Sequence, residues 1–138
     1  MSALCPLLVA QSTPISIPFT SVDGLVLVSA NVNGKPMTFI FDTGAETSLI
    51  TPKALSMTSI QKYKAPKMQL AGAGGSGGQV PQANVDITFG GNRMNTIVAV
   101  AFLPKSLPPG DGLLGQDVLR QFHKITIDYK SHTLELIP

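Results

Sequence analysis

The run of residues 39–45, Phe-Ile-Phe-Asp-Thr-Gly-Ala, constrains the fold more than any other part of the chain. Three apolar residues lead directly into Asp42, and a buried carboxylate costs free energy unless it is hydrogen-bonded or has a chemical use. Gly44 allows the backbone to turn sharply beside the acid. The run therefore predicts a buried strand that ends in a tight turn, with Asp42 at the edge of a hydrophobic core.

The composition indicates one ordered globular domain and argues against a nucleic-acid partner. The chain has 138 residues, of which 43% are hydrophobic and 13% charged. This balance is typical of a chain that buries a core and is unlike that of disordered segments. The net charge is only +2. Because phosphate binding needs clustered Lys and Arg, and no such cluster occurs, the sequence argues against nucleic acid as the main partner.

The sequence offers no metal set, no cofactor motif and no membrane span. Cys5 is the single cysteine, and His123 and His132 stand alone, so neither a disulfide nor a Cys/His metal site is expected. No apolar run reaches the roughly 18–20 residues that cross a bilayer. Residues 3–10 form a short apolar patch in a flexible lead-in, residues 1–13. That patch is either a plain tail or the remnant of a signal peptide, which would place the protein in the periplasm or outside the cell.

Residues 14–138 read as eight or nine short strands with one or two short helices, which predicts an all-β fold, a closed β-barrel or sandwich. Asn33-Gly34 predicts a two-residue hairpin turn. Thr51 followed by Pro52 predicts a helix start. Residues 96–102 form a continuous apolar run that predicts a strand buried on both faces. Two alternating segments predict core-facing side chains, namely Val85, Ile87 and Phe89, and Ile125, Ile127 and Tyr129.

A glycine-rich run lies near the middle of the chain: Gly72, Ala73, Gly74, Gly75, Ser76, Gly77 and Gly78. Its spacing formally fits a dinucleotide-binding loop, but that motif requires a following helix. Here an alternating strand follows instead, so nucleotide binding is not expected. The run is interpreted as a flexible hairpin or linker.

Two motifs together resemble the retropepsin-like family of aspartic proteases, the single-lobe, retroviral type. Residues 41–45 followed by Ser48-Leu49-Ile50 resemble the family's active-site loop. Leu113-Leu114-Gly115 followed by Asp117 resembles its second signature. The glycine-rich run lies between them, where the family carries its flap. The resemblance extends from about residue 15 to residue 137 and implies the closed, barrel-like acid-protease fold.

The resemblance implies an endopeptidase that is active as a homodimer, without cofactor or metal. Asp42 would be catalytic, and since Asp-Thr-Gly occurs once, a second copy would supply the second acid. Thr43, Gly44 and Ala45 would form the active-site loop, supported from below by Leu113, Leu114 and Gly115. The hairpin of residues 68–80 would close over an extended polypeptide substrate. The first and last strands would help to form the dimer interface.

Two departures from the family pattern carry expectations of their own. Retroviral members commonly have Arg where this chain has Gln116, so Glu46 either pairs with another cation such as Arg120 or is exposed. Ala45 cannot donate the side-chain hydrogen bond with which Ser or Thr would favour a charged carboxylate. We therefore expect a mildly acidic rather than strongly acidic optimum, which a pH–rate profile would check.

Two other functions remain open from the sequence alone. The first is a non-catalytic domain of the same fold that dimerises or binds peptide. The second is a small β-barrel that binds an unrelated ligand. Proteolysis that disappears in Asp42→Asn would separate the enzyme from both.

Overall fold

In the computed structural model, residues 13–60, 63–69 and 78–138 are described. Most of the predicted lead-in, with Cys5 and residues 3–10, lies outside these ranges, as do Gly72 to Gly77. The strands are β1 Ile15–Pro18, β2 Thr20–Val22, β3 Leu25–Val32, β4 Lys35–Phe41, β5 Leu49–Ile50, β6 Tyr63–Gln69, β7 Gln79–Phe89, β8 Asn92–Val100, β9 Gly112–Leu114, β10 Lys124–Asp128 and β11 Thr133–Ile137. The helices are α1 Pro52–Ser56 and α2 Gln116–Leu119.

The strands form two sheets, which confirms the all-β prediction with more strands than the eight or nine expected. One sheet has the order β1-β11-β10, and the other has eight strands in the order β2-β3-β4-β9-β5-β8-β7-β6. A further contact joins β3 to β7 over two residue pairs, Asn31 with Thr88 and Val32 with Ile87. This contact brings distant parts of the large sheet together, but it is much shorter than the eight-pair ladder between β7 and β8.

The predicted hairpin turn and helix start are both formed by local backbone and side-chain interactions. Asn33 and Gly34 have φ angles of 49° and 80°, the left-handed pair that a two-residue hairpin turn needs. The Thr51 side chain accepts a hydrogen bond from the N–H of Ala54 at 3.1 Å, so Thr51 caps α1 with Pro52 at its first position. Both predictions are therefore confirmed.

The core takes side chains from both sheets and both helices, and it is built mainly from aliphatic and phenylalanine side chains. Val85, Ile87 and Phe89 are each at most 1% exposed, so their predicted inward face is confirmed. The second predicted face is only partly correct. Ile125 and Ile127 are half-buried, whereas Tyr129 is 66% exposed because it follows the end of β10.

The prediction for residues 96–102 was wrong in its extent. Burial on both faces is confined to Val98, Ala99 and Val100, the part of β8 that lies beside β5. Ile97 is 46% exposed, and Phe102 lies beyond the strand at 82% exposure. The continuous apolar run identified the strand, but it did not show at which residue the second face of the strand becomes buried.

Asp86 forms a surface ion pair with Arg93. Arg93 donates a hydrogen bond to Asp86 at 2.7 Å, and the side-chain amide of Asn95 donates another at 2.9 Å. These two donors, Asn95 before Arg93, lower the pKa of Asp86. No helix in the described ranges is long and apolar enough to cross a membrane.

Candidate active site

Asp42 lies directly after β4, at the end of a buried strand as predicted. Phe39 and Ile40 are at most 2% exposed, and Asp42 itself is half-buried. Its N–H donates to the carbonyl oxygen of Leu114 at 3.0 Å, which extends the pairing between β4 and β9 by one residue. The acid is thus fixed through its backbone to the edge of the core.

The Asp42 loop is a tight turn that also orients the carboxylate. The N–H of Gly44 donates to Asp42 Oδ1 at 2.9 Å, and the N–H of Ala45 donates to the Asp42 carbonyl oxygen at 3.3 Å. A Cβ at position 44 would lie 3.3 Å from Asp42 Oδ1, which is a tight contact. Glycine avoids this contact because it has no side chain. Thr43 and Gly44 are exposed, so this side of the loop faces outward.

The second signature lies against the Asp42 loop, and its two leucines belong to strand β9. Leu113 pairs with Ile40, and Leu114 pairs with Phe41, in the parallel ladder between β9 and β4. Gly115 follows, where a Cβ would lie only 2.7 Å from the Ala45 carbonyl oxygen. The structure therefore brings together Asp42, its loop, and all three residues expected to support that loop.

A hydrogen-bond network beside the loop was not predicted from the sequence. Ser48 is fully buried, and its hydroxyl donates to Asp117 Oδ1 at 2.5 Å while accepting from the N–H of Gly115 at 2.9 Å. The N–H of Ser48 donates to Asp117 Oδ2 at 2.9 Å. Asp117 thereby joins the start of α2 to the end of the Asp42 loop. An acid in the first turn of a short helix was the available signal.

Gln116 contacts the loop, and Glu46 does not form the ion pair considered above. The Gln116 side-chain amide donates to the carbonyl oxygen of Thr43 at 2.7 Å. The described ranges contain one salt bridge, between Arg93 and Asp86, and Glu46 is exposed. Of the two alternatives for Glu46, the exposed one is correct.

An open cavity of about 280 Å³ lies beside the loop. Its lining includes Phe41 and Thr43 of the Asp42 region and Ile125 and Ile127 of β10. Within the described residues no group of three or more His, Cys, Asp or Glu side chains could hold a metal ion.

The Ser48 network supports a stability prediction. Ser48→Ala should lower the free energy of unfolding by about 1–3 kcal/mol, because it leaves the buried Gly115 N–H without its acceptor. Thermal unfolding would measure this change. Ser56→Ala is the matched control, since that exposed hydroxyl donates only to the Lys53 carbonyl oxygen of its own helix. Equal stability of the two variants would contradict the role given to Ser48.

The strands that flank the glycine-rich run form an antiparallel pair. Met68 pairs with Val80, and Gln69 pairs with Gln79. Of the seven residues expected to form the flap, Gly78 is the one in the described ranges, and it is exposed. The flanking strands thus have hairpin connectivity, while the remaining flap residues lie outside the described ranges.

Comparison with solved structures defines the fold. The "EIAV protease complexed with the inhibitor HBY-793" is similar at 24% identity and a TM-score of 0.57, over 74% of this chain and 91% of that one. A "retropepsin-like aspartic protease from Rickettsia conorii" is similar at 20% identity and a TM-score of 0.61, over 91% of each chain. The chain therefore has a retropepsin-like fold.

A family model matched to the sequence identifies the family. Residues 28–118 match the family model described as "Aspartyl protease", and the chain belongs to this family. The match includes Asp42 and its loop, β9 and the start of α2. A search of curated proteins found no match.

Proposed function

We propose that the chain is an aspartic endopeptidase whose active site forms when two copies place their Asp42 residues side by side. The observation that carries the proposal is a half-buried Asp42 at the end of β4, oriented by the N–H of Gly44, in a chain with a single Asp-Thr-Gly. One carboxyl group cannot both remove and supply a proton at the same moment. The second group is provided by two-fold symmetry.

The two carboxyl groups would share one proton, because two adjacent negative charges repel each other. The charged group accepts a proton from water as the water oxygen bonds to the peptide carbonyl carbon. The protonated group gives its proton to the carbonyl oxygen. Breaking of the C–N bond then requires a proton on nitrogen, which the group that is now protonated supplies. The other group, now charged, takes a proton from a hydroxyl of the intermediate as its carbonyl re-forms, so the pair again holds one proton. The Gly44 N–H occupies Oδ1, and within the described residues Oδ2 accepts no hydrogen bond, so it is available for this exchange.

The other residues predicted at the site would position the two Asp42 residues or bind the substrate. Thr43 lies on the exposed side of the loop, where it could meet its counterpart across the dimer axis. Leu113, Leu114 and Gly115 would hold the loop from beneath. The glycine-rich hairpin would cover an extended polypeptide, with backbone hydrogen bonds that add the substrate as a strand.

A mixing experiment tests the shared site. Asp42→Asn chains are added in excess to a fixed amount of wild type that is already dimeric. Each dimer of one wild-type chain and one variant chain then contains a single Asp42. With random pairing, a tenfold excess should reduce the cleavage of a denatured protein to about one tenth.

The control is the same mass of an unrelated folded protein, which should leave the rate unchanged. Unchanged cleavage with excess Asp42→Asn would contradict a site shared between two copies. A wild-type dimer that cleaves nothing at any pH would instead favour the non-catalytic domain.

A further inference from the structure

We propose that Asp111 and an adjacent cavity select substrates with a lysine or arginine about three to five residues from the cleaved bond. The inference rests on the proposed function and adds to it the class of polypeptide that the site prefers. Asp111 would bind one side chain of the substrate at a distance from the reacting atoms, which contact Asp42.

A second open cavity of about 280 Å³ shares no lining residue with the cavity beside the Asp42 loop. Phe19, Leu27 and Val28 give it apolar surface, and Ser29 and Thr38 give it hydroxyl groups. We call it the Thr38 cavity. Its mixed lining suits a side chain with a long methylene chain and a polar head, as in lysine and arginine.

Strand β4 connects the Thr38 cavity to the catalytic acid. Thr38, Ile40 and Asp42 are alternate residues, and the N–H of Asp42 continues the β4–β9 ladder, so their side chains lie on one face of the sheet. The intervening residues, Phe39 and Phe41, belong to the core on the other face. A polypeptide that extends from Asp42 over this face therefore reaches Thr38 with another of its side chains.

The neighbouring strand confirms that the cavity opens on this face. In the β3–β4 ladder, Leu27 lies opposite Ile40, and Ser29 lies opposite Thr38. Residues opposite each other in a ladder have their side chains on the same face. The apolar and hydroxyl parts of the cavity lining thus lie on the face that carries Asp42.

The length of strand between the two positions sets the spacing in the substrate. Thr38 precedes Asp42 by four positions, which span about 13 Å at roughly 3.3 Å per residue. An extended substrate advances by the same amount, so the side chain over Thr38 belongs to a residue about three to five positions from the bond held at Asp42. Two-fold symmetry would provide an equivalent cavity on the other side of that bond.

Asp111 places a negative charge next to Thr38. The N–H of Thr38 donates to Asp111 Oδ2 at 2.9 Å, and the N–H of Asp111 donates to the carbonyl oxygen of Thr38 at 2.8 Å. These two bonds fix the carboxylate beside the backbone of Thr38. It is therefore within reach of the head of a long side chain whose methylene chain lies in the Thr38 cavity.

The carboxylate of Asp111 is half-buried and has one oxygen without a donor. Among the described residues Oδ1 accepts no hydrogen bond, and the one salt bridge found there joins Arg93 to Asp86. A carboxylate that is partly removed from water is stabilised by a cation that donates to it. The occupant that complements this charge is a basic side chain of the polypeptide substrate.

The test begins with the bonds that the wild-type chain cleaves in a mixture of denatured proteins, identified by mass spectrometry. Lys and Arg should occur at the predicted spacing about two to three times as often as in the substrates as a whole. Asp111→Asn keeps an oxygen that can accept the Thr38 N–H but removes the charge, so this enrichment should disappear. Glu135→Gln is the matched control, because it removes one exposed negative charge from β11 and should retain the enrichment.

A pair of peptides isolates the effect of the charge. Both are built on one mapped site, and they differ only in arginine or citrulline, its uncharged isostere, at the enriched position. Wild type should cleave the arginine peptide with a kcat/KM about three- to tenfold higher than that of the citrulline peptide. About 0.5 M salt should reduce this ratio, since it screens the charges. In Asp111→Asn the ratio should be close to one.

Equal cleavage of the two peptides by wild type would overturn the proposal, and so would an unchanged ratio in Asp111→Asn. Enrichment of aliphatic residues at the predicted spacing, in place of Lys and Arg, would also overturn the role of Asp111. If Asp111→Asn did not fold, the wild-type ratio and its dependence on salt would decide the question.

The outcome for Asp111 is separable from that for the proposed function. Cleavage that depends on Asp42 but shows no preference for basic residues would leave the endopeptidase intact and overturn the substrate preference alone. A wild-type dimer that cleaves nothing would overturn both.

Discussion

Asp42→Asn is expected to reduce cleavage of a denatured protein by at least about 10³-fold, because an amide can neither accept nor supply the proton that each step needs. The fold should be preserved. Asn keeps a side-chain oxygen that can accept the Gly44 N–H, and the backbone bond from residue 42 to Leu114 does not involve the side chain. Initial rates across the acidic and neutral range, with thermal unfolding on the same samples, would measure both effects.

Asp23→Asn is the matched control for this substitution. Asp23 also precedes a glycine, but it lies in the turn between β2 and β3 with φ of 51°, a conformation that Asn adopts readily. Its activity should equal that of wild type. Cleavage by Asp42→Asn at the wild-type rate would show that the activity comes from a contaminant or from another residue.

Gly112→Ala should have the largest effect on stability, at least about 3 kcal/mol, and should lower the melting temperature by roughly 10 °C or prevent folding. Gly112 lies in β9 between β4 and β5. An added Cβ would lie 2.0 Å from the Leu49 carbonyl oxygen and 2.8 Å from a ring carbon of Phe39. Backbone on one side and a buried ring on the other leave little room for adjustment. Thermal and denaturant unfolding would measure the loss.

Gly78→Ala provides the comparison, because no atom of the described residues lies within 4 Å of the Cβ position there. It should change stability by no more than about 0.5 kcal/mol. If Gly112→Ala were as stable as Gly78→Ala, the close packing of β9 between its neighbours would be wrong.

The features that could be predicted from the sequence depend on residues close together in the chain. The Asn33-Gly34 turn and the Thr51 cap each follow from two adjacent residues whose backbone preferences are strong. The Asp42 turn follows from the acid and the glycine two positions later. Simple alternation identified the buried face of β7, and the paired motifs gave the family. In each case the local preference and the final fold agree.

The features that could not be predicted depend on what packs against a segment from elsewhere. Tyr129 continues the alternation of β10, but the strand ends before it, so its side chain has no core to enter. The Ser48 hydroxyl meets Asp117 across 69 positions of sequence. The position of Asp117 in the first turn of α2 signals a helix start, but it does not identify Ser48 as the partner, since Ser and Asp are ordinary surface residues. Partners of this kind appear only once the topology is known.

The long separation between β4 and β9 has a consequence for the time course of folding. The side chain of Gln116 bonds to Thr43 across 73 positions, and the side chain of Asp111 bonds to the N–H of Thr38 across the same interval. Closing so long a loop carries an entropic cost before its contacts form, and non-local pairing is slow. During synthesis, the strand that ends at Asp42 emerges well before the strand that holds it. The Asp42 loop therefore becomes ordered late. Under the proposed function, a growing chain would be protected from premature proteolysis by its own topology.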